Sequence, residues 1–194
     1  DGIKIGMLHS SEVILSVIKT LKKLKTKKII LDPVMVAKGG HRLLEFEAID
    51  ALKDFISKAK PILTPNIPEA EILTGIKIRN LIDMKKAGKE IIKLGASSVI
   101  LKGGHMKTEV MTDLLIDANE IYPIKTKKIL TNHTHGTGCT MASALSAGLA
   151  KSFEIKKAFK IAHEYVNMAI QSAPLFGKGN GPINHCFNIK LSEH

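Results

Sequence analysis

Four short apolar runs, separated by stretches with helical spacing, constrain this chain more than any other feature of its sequence. Ile3–Leu8 reads as a short buried strand. Ile29-Ile30-Leu31 reads as a second and ends at Asp32-Pro33. Ile62-Leu63-Thr64 is a third and breaks at Pro65, and Ser98–Lys102 is a fourth that ends in Gly103-Gly104. Between them, Ser10 and Ser11 are placed to cap a helix whose stripe is Val13, Ile14, Val17, Ile18, Leu21 and Leu24. Leu44, Ile49, Leu52, Phe55 and Ile56 repeat that pattern. Asn66 caps a short helix with Pro68 in its first turn, and Asn80 starts another that runs through Leu94. Val110–Ile116 and Glu120–Lys125 flank Asp117-Ala118-Asn119 as a β-hairpin. Two helices follow, from about Gly138 to Ala150 and from Phe153 towards Ser172. Strands alternating with helices predict an α/β fold with a mostly parallel central sheet. With 194 residues and 44% hydrophobic composition, a single domain spanning residues 1–194 is expected.

Ligands of such sheets bind outside the carboxyl ends of the strands. The segments expected there are Gly6-Met7, Asp32-Pro33-Val34-Met35, Asn66 with Glu69, and Lys102-Gly103-Gly104-His105. The helix opening near Gly138 presents its N-terminus on the same rim. It is preceded by Thr134-His135-Gly136-Thr137-Gly138-Cys139-Thr140. A helix start leaves backbone N–H groups unpaired and carries partial positive charge. Glycines let a phosphate approach that backbone closely. Cys139 falls in the first turn, where a thiol pKa tends to drop. One reading is a phosphate cradle with a reactive side chain beside it. The other is a glycine-rich turn before a buried helix, with Cys139 as a small core residue.

The remaining rim residues carry paired readings too. Asn66 and Glu69 share a helix face and suit Mg²⁺, often through waters; the same pair also makes an ordinary N-cap with a first-turn acid. Asp32 either holds the metal or its water shell, or makes an Asx-type turn. Lys102 closes a buried strand, so it needs an anionic partner or must snorkel into solvent. Met7, Val34 and Met35 line a flat apolar pocket or belong to the core. Met141, Leu145, Leu149, Ile161 and Val166 are expected in the core. His105, His133 and His135 match no familiar zinc spacing.

The net charge of +11 comes almost entirely from lysine, since Arg42 and Arg79 are the only arginines. Lysines such as Lys19, Lys22, Lys23, Lys25, Lys27 and Lys28 are spread over helix faces. With no tryptophan and 4% aromatic residues, the chain offers few stacking platforms for bases, so nucleic acid is not the expected partner. An anionic substrate such as a nucleoside triphosphate accounts for part of the charge. No apolar run approaches the roughly 20 residues needed to cross a bilayer, so no membrane partner is expected. Two cysteines, Cys139 and Cys186, without metal-ligand spacing, point to a reducing cytoplasm.

Taken together, IKIGML at Ile3–Leu8, LDPVMVAKGG at Leu31–Gly40, TPNIPEAEILTG at Thr64–Gly75, VILKGGH at Val99–His105, THGTGCTMASALSAGLA at Thr134–Ala150 and GNGPINH at Gly179–His185 resemble the hydroxymethylpyrimidine/phosphomethylpyrimidine kinases of thiamine biosynthesis, within the ribokinase-like superfamily. The resemblance implies a three-layer ribokinase-like domain. It also implies phosphorylation of 4-amino-5-hydroxymethyl-2-methylpyrimidine and then of its monophosphate, with ATP as co-substrate and Mg²⁺ as cofactor. On that reading the Gly136, Thr137, Gly138 and Cys139 backbone forms the anion hole, and Cys139 accepts the hydroxymethyl proton. Lys102, Asn66 and Thr137 lie at the ATP phosphates. Asp32, Asn66 and Glu69 serve the metal, and Met7 and Val34 contact the pyrimidine. Family members begin with a Gly-rich, Asp-containing segment and about two βα units that have no counterpart here. The expectation is therefore an N-terminally truncated chain with its phosphate half present and its substrate half incomplete. An open sheet edge invites pairing with another chain, so a homo-oligomer, most simply a dimer, is expected. Smaller departures are Gly39-Gly40-His41, where the family usually has a serine and an aspartate, and His133. Two other activities fit this pattern: pyridoxal kinase-like phosphorylation, and noncatalytic binding of a nucleotide or thiamine precursor.

Overall fold

The computed structural model describes residues 1–26, 28–36, 41–106 and 108–189. Lys27 and the Gly39-Gly40 departure lie outside the described residues. Six strands, β1 (Ile3–Ile5), β2 (Ile29–Leu31), β3 (Ile62–Leu63), β4 (Ser98–Leu101), β5 (Val110–Ile116) and β6 (Ile121–Lys127), form one sheet in chain order. β1 to β4 are parallel, and the β5–β6 hairpin is antiparallel. Parallel neighbours in chain order, joined by right-handed crossovers, put every connecting helix on one face. That face carries α1 (Ser11–Leu21), α2 (Ala48–Ala59), α3 (Ile67–Thr74) and α4 (Leu81–Lys93); α5 (Thr137–Ala150) and α6 (Ile155–Gln171) cover the other. The result is a three-layer α/β architecture.

The strand residues divide between two cores with a period of two. Leu31, Leu63, Val99 and Leu101 pack with Ile14, Leu52, Phe55, Met84 and Ile91. Ile30, Ile100 and Leu115 pack with Met141, Leu145, Phe159 and Ala162. Strands buried on both faces need continuous apolar character, which is why their sequences do not alternate.

The caps expected at Ser10, Asn66 and Asn80 all accept first-turn N–H groups. Several boundaries differ from expectation. The strand expected over Ile3–Leu8 stops at Ile5, where Asp32 N–H takes the Ile5 carbonyl at 2.9 Å and the chain leaves the sheet. Leu44 lies outside α2; its side chain is buried in the core while its N–H pairs with the Met35 carbonyl. Leu24 likewise lies beyond α1. The last parallel strand ends at Leu101, and Lys102 instead bridges to Asn66, tying the ends of β3 and β4 together. Glu120 closes the hairpin turn, and β6 reaches Lys127. Helix α6 starts at Ile155 rather than Phe153. Ile161 is 41% exposed, not core, because the buried stripe of α6 runs through Ala158, Ala162, Val166 and Ala169. Among the described residues β1 pairs with β2 alone. An apolar groove lined by Ile3, Ile5, Val13, Val17, Leu21 and Leu24 runs along it, on the face away from α5.

Candidate active site

The carboxyl ends of β1 to β4 converge on a buried carboxylate. Asp32 follows β2 and is 2% exposed. Its Oδ1 accepts from Lys102 Nζ at 3.0 Å and from Thr64 Oγ1 at 3.1 Å. Of the two readings of Lys102, the anionic partner is the correct one, and it comes from within the chain, 70 residues away. A buried ion pair keeps its charges only when further hydrogen bonds satisfy them, and Thr64 provides one. Thr64 lies at the end of the third apolar run, and nothing in its local sequence marked it as part of the site.

Asn66 and Glu69 form a complete capping box at the start of α3. Asn66 Oδ1 accepts from Glu69 N–H at 2.9 Å, and Glu69 Oε2 accepts from Asn66 N–H at 2.8 Å. Burial pushes the Glu69 carboxyl up to about 7, with neighbouring Asp32 adding to the rise and Lys102 opposing it. Among the described residues the two buried carboxylates share one nearby ammonium, that of Lys102, and so are short of positive charge. Hard oxygens already engaged by protein donors suit Mg²⁺ held through its waters. The donor set therefore fits the ion, with Asp32, Asn66 and Glu69 as the residues that would hold it.

A raised carboxyl pKa gives stability that is fully present below the unfolded value and lost as pH rises through the folded one. For Glu69 that window runs from 4.5 to about 7. Glu69→Gln keeps the cap acceptor and removes the charge. It should flatten this pH dependence and leave the melting temperature at pH 8 equal or higher, while magnesium-dependent turnover falls. A collapsed melting temperature with an unchanged magnesium dependence would reduce Glu69 to a helix cap.

The N-terminus of α5 faces the same rim. Gly136 adopts φ 89°, a left-handed conformation that glycine tolerates without strain, and acts as the N-cap. The helix therefore begins at Thr137, one residue earlier than expected. Its opening N–H groups lack helical acceptors, and Lys102 Nζ lies beside Gly138, 3.2 Å from where a Cβ would stand. Thr140 ties the turn down, its hydroxyl donating to the Gly136 carbonyl at 2.8 Å and pairing with His185 Nε2 at 2.9 Å. His135 N–H donates to the Gly181 carbonyl, so the late GNGPINH stretch packs against the helix start.

The expected fall in the Cys139 thiol pKa is a correction. Desolvation, then the Asp32 carboxylate, push the thiol up; Lys4 and Lys102 oppose them. The two negative influences outweigh the helix start because Asp32 is buried close by, where its field is weakly screened. Cys139 is nevertheless exposed, so it is not a core residue. Met7 is 55% exposed and Val34 half-buried, so both open onto the rim, whereas Met35 is core.

One supporting network has no signal in the sequence. Gly103 N–H donates to Asp113 Oδ1 at 2.7 Å, which fixes the backbone just after Lys102. A Cβ on Gly103 would run into the Thr112 carbonyl, so only glycine allows that approach. Asp113 Oδ2 lies 3.6 Å from His163 Nε2. Burial pushes the His163 imidazole below its ordinary value, and the Asp113 carboxylate opposes that fall. Among the described residues no cluster of three or more His, Cys, Asp or Glu side chains is arranged to hold a metal by itself.

A three-layer α/β chain with a lysine-braced carboxylate at its strand ends and a glycine-bordered helix start opposite belongs to the class of ribokinase-like small-molecule kinases. Within that class the chain belongs to the phosphomethylpyrimidine kinase family, whose model matches residues 1–184. It is 43% identical to a hydroxymethylpyrimidine/phosphomethylpyrimidine kinase of Bacillus subtilis, over 95% of this chain and 69% of that one. Among solved structures, it superposes on phosphomethylpyrimidine kinase from Clostridium difficile with a TM-score of 0.75 and 42% identity, over 87% of this chain and 68% of that one. An ADP complex of B. subtilis pyridoxal kinase superposes with a TM-score of 0.87 and 35% identity, over 95% of this chain and 70% of that one.

Proposed function

We propose that this protein transfers the γ-phosphoryl group of ATP to the hydroxymethyl oxygen of 4-amino-5-hydroxymethyl-2-methylpyrimidine, and then to the phosphate of the resulting monophosphate, in thiamine biosynthesis. The observation that carries this reading is the α5 N-terminus set against the Lys102–Asp32 pair. Phosphoryl transfer needs mainly positioning and neutralisation of charge, and this rim supplies both. The backbone of Gly136, Thr137, Gly138 and Cys139 receives the transferred group, and Lys102 draws the phosphates towards it. Cys139, in its thiolate form, takes the proton of the acceptor hydroxyl as the new O–P bond forms and ADP leaves. Mg²⁺, when bound, neutralises phosphate charge. Asp32, Asn66 and Glu69 hold its water shell, and Met7 and Val34 contact the pyrimidine ring.

ADP release that depends on added pyrimidine tests the activity. ATP affinity without pyrimidine-dependent turnover would instead mark a noncatalytic binding module. In a nucleotide complex the terminal phosphate should contact the N–H groups of residues 136–139, and placement elsewhere would overturn the assignment. The higher TM-score of the pyridoxal kinase favours a second reading, pyridoxal phosphorylation; the higher identity to the pyrimidine kinases favours the first. Parallel assays with the two alcohols separate them. Two free cysteines, and no described helix long and apolar enough to cross a membrane, support a cytoplasmic location. The single-domain organisation, residues 1–194, rests on the two cores sharing one sheet. A dimer is the simplest homo-oligomer, and sedimentation would test it.

A further inference from the structure

Lys4 is the middle residue of β1, where a lysine is out of place. Ile3 and Ile5 on either side of it line the groove against α1. Gly2, on the alternate set, packs on Ser146 and Ala150 of α5. Lys4 belongs to that same set and so lies on the face that α5 covers. It is half-buried, and among the described residues its ammonium group forms no ion pair or hydrogen bond. A cation on a helix-covered strand face is costly without a partner. Its side chain runs up the strand to the catalytic rim, where Nζ stands 2.9 Å from the position a Cβ on Gly6 would occupy. From there its charge reaches the Cys139 thiol.

The two rim lysines thus differ in place and in pairing. Lys102 lies beside Gly138 and is neutralised by Asp32. Lys4 lies on the Cys139 side and, among the described residues, has no carboxylate paired with it. Resting on the reading of Cys139 as the residue that faces the acceptor oxygen, we infer that Lys4 is a specificity residue for an acceptor that already carries a phosphate. The first transfer uses a neutral alcohol. The second brings a phosphomonoester dianion up to the terminal phosphate of ATP, and two like charges must then approach. An ammonium on the acceptor side offsets that repulsion and forms a charge-assisted hydrogen bond to the monoester.

The test is steady-state kinetics of wild type, Lys4→Met and Lys4→Arg with the pyrimidine alcohol and with its monophosphate, at saturating ATP. Loss of one charge-assisted contact should lower kcat/KM of Lys4→Met for the monophosphate by about 10- to 100-fold more than for the alcohol, chiefly through KM. Lys4→Arg should restore most of the difference. A proportional loss with both acceptors would overturn the inference and leave Lys4 acting on Cys139 or on folding. In the wild type, inorganic phosphate should compete against the monophosphate more strongly than against the alcohol. Equal competition would also overturn it, without any variant. If wild type turns over neither acceptor, the kinase reading itself fails. Calorimetric affinity for the monophosphate then decides the role of Lys4, and equal values in wild type and Lys4→Met would refute it.

Discussion

Cys139→Ala should lower pyrimidine phosphorylation by about 10²- to 10⁴-fold, the usual cost of losing a positioned proton acceptor, while ATP affinity stays within a few-fold. The nucleotide contacts assigned to this turn are backbone N–H groups, which alanine retains. The Cys139 side chain is exposed, so the fold should tolerate its loss, and the melting temperature serves as the control. The thiol is pushed up by desolvation and Asp32. Alkylation of Cys139 by iodoacetamide should therefore still be climbing with pH where an unperturbed thiol has levelled off. Replacing Asp32 by asparagine should shift that profile to lower pH. Equal turnover in Cys139→Ala would remove the thiol from the chemistry.

Lys102→Met is expected to have two separable consequences. The first is on stability. The Lys102 side chain is 15% exposed and that of Asp32 2%, so the substitution leaves a buried carboxylate without its cation. Stranding one partner of a buried pair costs about 3–5 kcal/mol. For a domain of this size that lowers Tm by roughly 6–20 °C. The second is on turnover, because the cation beside the anion hole is lost. The double variant Lys102→Met/Asp32→Asn separates them. Its stability should recover most of the way, since neither charge remains buried alone, while its turnover should stay low. Recovery of both would make the pair a structural strut only. Recovery of neither would show that the methionine disturbs packing around β4.

Local signals in this chain are strong where neighbouring residues satisfy one another. Asn66 and Glu69 are three apart and complete a capping box between themselves, so that geometry was legible before any fold was known. The same holds for the caps at Ser10 and Asn80, the glycine that opens α5, and the continuous apolar runs whose two faces fill two cores. The resemblance to pyrimidine kinases was likewise carried by short stretches in order along the chain.

What local spacing does not contain is charge balance. Asp32 and Lys102 meet only because β2, β3 and β4 lie parallel and in register, with Thr64 between them. Asp113 reaches Gly103 only because β5 folds back antiparallel on β4. The direction of the Cys139 shift followed from that arrangement too: the helix start was visible in sequence, but the buried carboxylate beside it was not. The exposed Ile161 and the half-buried Lys4 are decided the same way, by which face of an element meets the sheet. Sequence thus determined the elements and the chemistry available at their ends. Tertiary structure decided which charges face each other without water between them, because that depends on register among strands tens of residues apart.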